Sequence, residues 1–303
     1  MKSRILIGLV ITLLFLNIGF IQAKDIPLSN CQEIHLSGNY YLIDDIWVSP
    51  DNDPCLDIYA NGVTIDGRGH TIYGWSSIEE LISINYVRNT VIKNIDLRYG
   101  AECINVVDSN ETTITNSSFN CVDADIDIGS ENAYFTGAYI YKNNLTGSES
   151  ECINLLSGWN IQIFNNNLDC LQDGIWMIDV GNTRIYSNKI SVEYSGIYLN
   201  SDLTGNIFFN NYLRSYWNTP LDMVTYNISV MLNIPKQLGK NIVGGPYLGG
   251  NYYTNYARTG YSDTCFDGNR DGICDRSYSI NGSTDYYPLT KVNSFVPINI
   301  ENS

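Results

Sequence analysis

The sequence predicts an all-β chain, a single-stranded parallel β-helix closed by a cap at each end. The first observation behind this is a short phrase that returns every 21 to 28 residues: VTIDGRGHTI from Val63, NTVIKNIDL from Asn89, ETTITNSSF from Glu111, NAYFTGAYI from Asn132, NIQIFNNNL from Asn160, NTRIYSNKI from Asn182 and GNIFFNNYL from Gly205. Such a period marks one structural unit stacked on the next. In each copy an apolar residue (Ile65, Ile92, Ile114, Phe135, Ile163, Ile185, Phe208) leads through polar or small residues to a second apolar one. That pattern gives a short strand, an Asn or Gly corner, and a return by one strand spacing of ~4.8 Å per coil. A β-sandwich also has short strands and frequent turns, but no reason to keep one register through seven segments. The second observation is that 37 of the 303 residues are Asn. A buried Asn stacked on the Asn of the next coil passes hydrogen bonds along the ladder. Asn165, Asn166, Asn167, Asn188, Asn210 and Asn211 stand at the matching corners.

The elements follow in order. Lys2 and Arg4 precede an apolar run from Ile5 to Ile21, then Gln22 and Ala23, so residues 1–23 read as a secretory signal peptide. Residues 24–60 are expected to form the N-terminal cap, 61–235 the β-helix, and 236–303 the C-terminal cap. Secretion agrees with the eight Cys, which in an exported chain imply disulfides before metal or redox chemistry. Glu-Cys-Ile-Asn begins at Glu102 and again at Glu151, and each is closed by a Cys after the same gap, Cys121 and Cys170. Cys103 and Cys152 share one column of the repeat two coils apart, about 9.6 Å, which is beyond the reach of a disulfide. Pairing within each twin is therefore expected, with Cys31 joined to Cys55 and Cys265 to Cys274. Asn110, Asn116, Asn144, Asn227 and Asn281 begin glycosylation sequons.

The net charge is −15, and loss of Lys2 and Arg4 with the signal leaves −17. A nucleic-acid partner is disfavoured, since binding one needs a basic face. Cations fit better.

The ends carry a family resemblance. SGNYYLIDDI from Ser37, CLDI from Cys55 and GVTIDGRGHTI from Gly62 resemble the opening of NosD-like β-helix proteins. GNYYTNY from Gly250, CFDGNRDGICD from Cys265 and DYYPL from Asp285 resemble their closing motif, in the form with a Cys-flanked acidic loop found in archaeal surface members. The resemblance implies a right-handed helix, an extracellular or periplasmic place, and carbohydrate-related or accessory roles. It also raises maturation of a copper site. Copper wants soft or imidazole ligands, and the chain offers two His (His35, His70) and four Met without a cluster.

Three functions are weighed. The favoured one is a secreted cell-surface module, structural, adhesive or carbohydrate-binding, that presents a rigid face to glycans or neighbouring proteins. The alternative is a polysaccharide-active enzyme of the pectinase-like type, lyase or glycoside hydrolase, which needs acidic groups close together or calcium with a base. Alternation in VDADIDI from Val122 puts Asp123, Asp125 and Asp127 on one strand face. Glu102 and Asp173 are expected near the same column, with Arg184, Trp176 and nearby tyrosines completing a groove. Neither the GlyHisGly nor the ArgIleLys pattern of polygalacturonases is present, and ArgIleTyr at Arg184 departs at its last position. The third is the copper accessory role. For cofactors, Asp267, Asn269, Asp271, Gly272 and Ile273 match the opening of an EF-hand-type loop, with Asp275, or Asp263 from before the loop, in place of the missing Glu, so a structural Ca²⁺ is expected.

Overall fold

A computed structural model describes residues 25–130, 135–201, 204–217, 219–224 and 230–292. The expected signal peptide and Asn227 lie outside the described residues. The chain winds into coils that build three parallel sheets. Sheet A runs from Asp25–Leu28 through Val63–Asp66, Val91–Lys93, Thr112–Thr115, Ala138–Tyr141, Gln162–Phe164 and Arg184–Tyr186 to Ile207–Phe209. Sheet B runs from Gln32–Ile34 through Glu80–Asn85, Glu102–Val107, Ile126–Gly129, Ile153–Trp159, Ile175–Gly181 and Ser195–Asn200 to Thr219–Met223. Sheet C runs from Ile46–Trp47 through Thr71–Tyr73, Asp96–Arg98, Ser118–Asn120, Asn144–Thr146, Asn167–Cys170 and Lys189–Val192 to Tyr252–Asn255.

Inward positions form apolar columns. Ile65, Ile92, Ile114, Ile140, Ile163, Ile185 and Phe208 are in register on sheet A, all within 1% of complete burial. One copy of the repeat is therefore displaced from the sequence alignment: Ile140, not Phe135, holds the fourth position. The Phe135–Thr136 segment pairs instead with Gly158 and Trp159 of sheet B, and the apolar spacing that aligned it with the column is a coincidence of that local pairing. Residues 25–60, expected as a cap, supply the first strands of all three sheets. The C-terminal segment donates Tyr252–Asn255 to sheet C and adds two antiparallel hairpins and a short helix, Tyr261–Thr264.

The corner between sheets A and C shows why Asn is so frequent. Asn94, Asn116, Asn165 and Asn210 sit there with φ between 50° and 58°, the left-handed region that Asn tolerates best after Gly. The residue after each turns inward. Asn143, Asn166, Asn188, Asn211 and Asn251 are all at least 95% buried, and each side-chain carbonyl accepts the backbone N–H of the preceding ladder member at 2.9–3.1 Å, with Ser117 N–H on Asn143. Their amide groups donate to Ile114, Ile140, Ile163, Ile185 and Phe208 carbonyls. Of the six Asn expected in the ladder, Asn166, Asn188 and Asn211 are its rungs. Asn165 and Asn210 make the bends, and Asn167 lies outside on sheet C, donating to Asn144.

The ladder ends on a carboxylate. Asp285 accepts the Asn251 N–H (2.8 Å), the Tyr287 N–H (2.9 Å) and the Tyr253 hydroxyl (3.0 Å). A Cβ on Gly250 would lie 1.9 Å from its Oδ1, so only glycine fits beside it. The two halves of the closing motif, GNYYTNY and DYYPL, thus meet at one buried contact. The four disulfides pair Cys31 with Cys55, Cys103 with Cys121, Cys152 with Cys170 and Cys265 with Cys274.

Candidate functional site

The outer face of sheet B carries the carboxylates. Register places Asp57, Ser83, Asn105, Asp127, Asn154, Trp176, Tyr198 and Asp222 in one outward column. Two residues at the strand ends, Glu80 and Glu102, pair with each other beside it. Asp127 accepts a hydrogen bond from the Asn154 amide at 3.1 Å. Burial raises its pKa, opposed by that hydrogen bond and helped by Glu151. Glu102 is pushed up to about 8, first by burial and then by the charges of Asp127, Glu80, Asp123 and Glu79. Its Oε2 is buried without a hydrogen-bond partner among the described residues. Glu102 therefore holds its proton near neutral pH. Further along the column the rings of Trp176 and Tyr198 stack at 5.7 Å and 16°. The opposite face of Trp176 is turned to Asn154 in the neighbouring coil, so the column presents the outer edges of the two rings.

The expectation that Asp123, Asp125 and Asp127 share one face is corrected. Asp123 is exposed and Asp127 faces outward, but Asp125 is completely buried. The strand begins only at Ile126, and at this corner two consecutive residues turn inward, as in Cys103-Ile104 and Cys152-Ile153. A period of two does not run through such a corner. Asp125 takes the position that Cys holds in the coils on either side. Its Oδ1 lies 3.7 Å from Cys103 Sγ and accepts the Cys121 N–H at 3.0 Å, and its Oδ2 is 4.0 Å from Cys170 Sγ. Burial raises its pKa to about 8 against hydrogen bonds from the Cys121 and Thr146 backbone. It is a carboxyl wedged between two disulfides and closed off from solvent.

Asp173 lies in the strand-end column of Glu102, but three coils on, about 14 Å along the axis. Its Oδ1 accepts the Ser195 N–H at 2.7 Å. Glu102 and Asp173 are therefore not partners. Arg184 is also corrected: it belongs to sheet A, between Gln162 and Ile207, and faces a different groove with Glu111 and Tyr139. A sheet assignment is invisible to a search for nearby charges in a repeat. Tyr198, Asn154 and Glu80 were missed, although each follows from counting one coil from Trp176, Asp127 or Glu102.

In the closing loop, Asp267 accepts the N–H groups of Asp271 and Gly272 at 3.2 and 2.9 Å, and Asp275 accepts that of Gly268 at 3.1 Å. Asn269 accepts from Asp271 N–H, and Asp271 from Ile273 N–H. Lys236 pairs with Asp271. Burial works against ionisation of Asp271, but Lys236, the Ile273 N–H and Asn269 outweigh it and lower its pKa. Among the sequons, Asn116, Asn144 and Asn281 are exposed and Asn110 is partly so, its Oδ1 held by Thr136 N–H at 2.7 Å.

Copper does not fit the donors present. His35 pairs with Glu33 and stacks on Tyr59, while His70 lies 3.3 Å from Asp45 at another corner. All eight Cys are in disulfides and Met177 is in the core. The two groups of three potential ligands found among the described residues consist of Asp125 and disulfide sulfurs. Among those residues no helix is long and apolar enough to cross a membrane.

No curated protein matches the sequence. Among solved structures, the periplasmic alginate epimerase AlgG is 12% identical with a TM-score of 0.45, over 68% of this chain and 66% of that one. The catalytic domain of a GH87 alpha-1,3-glucanase in complex with nigerose is 12% identical with a TM-score of 0.40, over 69% of this chain and 48% of that one. The Dettilon tailspike protein is 12% identical with a TM-score of 0.42, over 68% of this chain and 51% of that one. The chain thus spans about half the length of the glucanase domain. A family model described as NosD, periplasmic copper-binding protein, matches residues 34–258. Four disulfides agree with an oxidising compartment. On that match, together with the stacked parallel coils, the chain belongs to the NosD family of β-helix proteins.

Proposed function

We propose that the chain is a secreted cell-surface module that binds glycan along the outer face of sheet B. The observation that carries this is the single outward column in which Asp127 and Asn154 lead to a stacked Trp176 and Tyr198, with Glu102 at its margin. The edges of stacked aromatic rings beside polar groups that hold fixed positions suit a sugar ring, giving it apolar contact and hydrogen bonds at its rim. The β-helix supplies rigidity, so little ordering entropy opposes binding. A glycan array read with purified protein identifies the ligand. Trp176→Ala should then weaken binding at least about tenfold, or 1.4 kcal/mol, without lowering the melting temperature. Unchanged affinity would remove the aromatic column from the site.

A second reading is favoured by Glu102 alone. A carboxyl that is protonated near neutral pH beside Asp127 is suited to act as general acid in glycoside cleavage. Incubation of array hits should then release new reducing ends, and Glu102→Gln should slow release by about 10²-fold or more. Binding with no new ends supports the module.

For the closing loop we propose a structural Ca²⁺ in place of the Lys236 ammonium. Calcium should raise the melting temperature, and Asp267→Ala should erase the rise. Identical melting curves with calcium and with chelator would exclude it.

A further inference from the structure

The corner between sheets A and C forms an open groove of about 860 Å³ that runs along the helix axis over six successive coils. It lies on a different edge of the helix from the sheet B column. Its floor is the row of left-handed residues, in which Asn116, Lys142 and Asn165 follow one another with φ of 50°, 58° and 58°. This backbone turns their side chains out of the coil, and all three are exposed. The sheet C side presents Asn144, Asn167 and Lys189 in register. Immediately before the floor residues, on the sheet A side, Tyr141, Phe164, Tyr186 and Phe209 stack at 4.8, 5.0 and 5.1 Å with planes within 7° of parallel.

Charge decides what suits this groove. The chain carries 32 acidic against 17 basic residues, so an exposed lysine is ordinarily expected to find a carboxylate. Lys142 and Lys189 form no ion pair among the described residues, and Lys142 lies 6.0 Å from the Tyr141 ring. The one carboxylate among the described residues that line the groove, Asp96, is held by Arg98 through Nε at 2.9 Å and Nη2 at 2.6 Å. A positive groove in an anionic protein is an electrostatic minimum for an anion. Its amides repeat once per coil, every ~4.8 Å, and so offer the same donors and acceptors to each unit of an extended polymer.

We propose that this groove binds a linear acidic polysaccharide, one with carboxylates on its sugar rings, laid along the helix axis. The amides take the hydroxyls, and Lys142 and Lys189 take the carboxylates. The proposal is independent of the sheet B site, which presents carboxylates and would repel such a chain.

The test uses protein made in a host without N-glycosylation, so that the Asn116 and Asn144 sequons in the groove are bare. The probe is an oligogalacturonate, titrated calorimetrically beside its carboxyl-reduced neutral counterpart. The acidic form should bind at least tenfold more tightly, with affinity falling as salt is raised. Lys142→Gln with Lys189→Gln should remove at least tenfold of that affinity at an unchanged melting temperature, while Arg88→Gln, an exposed charge at another corner, should not. Absence of binding, equal affinity for the neutral form, or full affinity in the double variant would overturn the proposal. Loss of acidic-chain binding on Trp176→Ala would also overturn it and would place that ligand on sheet B.

Discussion

Asn188→Ala should lower the stability of the folded chain by about 4 kcal/mol. Asn188 is completely buried in the middle of the ladder. Its Oδ1 accepts the Asn166 N–H at 3.0 Å, and its amide donates to the Ile163 carbonyl at 2.8 Å and to Asn211 Oδ1 at 3.1 Å. Alanine leaves the Asn166 backbone N–H and one hydrogen of the Asn166 side-chain amide without an acceptor in a space closed to water, each costing about 1–3 kcal/mol. Chemical denaturation of the variant measures the loss. Asn165→Ala, one residue away, is the control: that side chain is exposed, and only the cost of a left-handed alanine, about 1 kcal/mol, is expected. Equal effects at the two positions would mean that the ladder does not carry the stability assigned to it.

The second large effect is on pH. The protein should melt at a higher temperature at pH 5 than at pH 8. Burial raises Asp125 to about 8, Glu102 to about 8 and Asp285 to about 7, whereas the same groups in an unfolded chain titrate near 4. Between those values the folded chain holds protons that the unfolded chain has released. Raising the pH therefore favours unfolding. The stabilisation is fully present below the unfolded values and is lost as pH climbs through 7 to 8. One pKa unit is about 1.36 kcal/mol, so Asp285 alone contributes on the order of 4 kcal/mol across this range. Calorimetric scans at several pH values check the sign. Asp125→Asn should flatten the slope, because it removes one of the three groups and keeps the acceptor for the Cys121 N–H.

These two effects mark what was legible in the sequence. The repeat exposed the coils, and the twin Glu-Cys-Ile-Asn segments fixed two disulfides, because both depend on spacing alone. Asn166, Asn188 and Asn211 were found for the same reason. Asp125 was not, since its direction depends on where the corner ends and the strand begins, and its alternation with Asp127 imitates a strand. Phe135 was misplaced because an extra short strand, Phe135–Thr136, pairs with sheet B just ahead of the sheet A strand and carries the same apolar look. The Asn251 to Asp285 contact joins segments 34 residues apart through a cap that breaks the period. Arg184 and Trp176 are near neighbours in sequence yet lie on different sheets, a distinction that only the register supplies.

The central claim is that glycan is held on the outer face of sheet B. A crystal structure with the strongest neutral array ligand bound tests it most directly. The account predicts a sugar ring against the outer edge of the Trp176–Tyr198 stack, with hydroxyls in hydrogen-bond reach of Asp127 and the chain extending toward Glu102. Ligand density on any other face, with the column from Asp127 to Tyr198 in contact only with solvent, would contradict it.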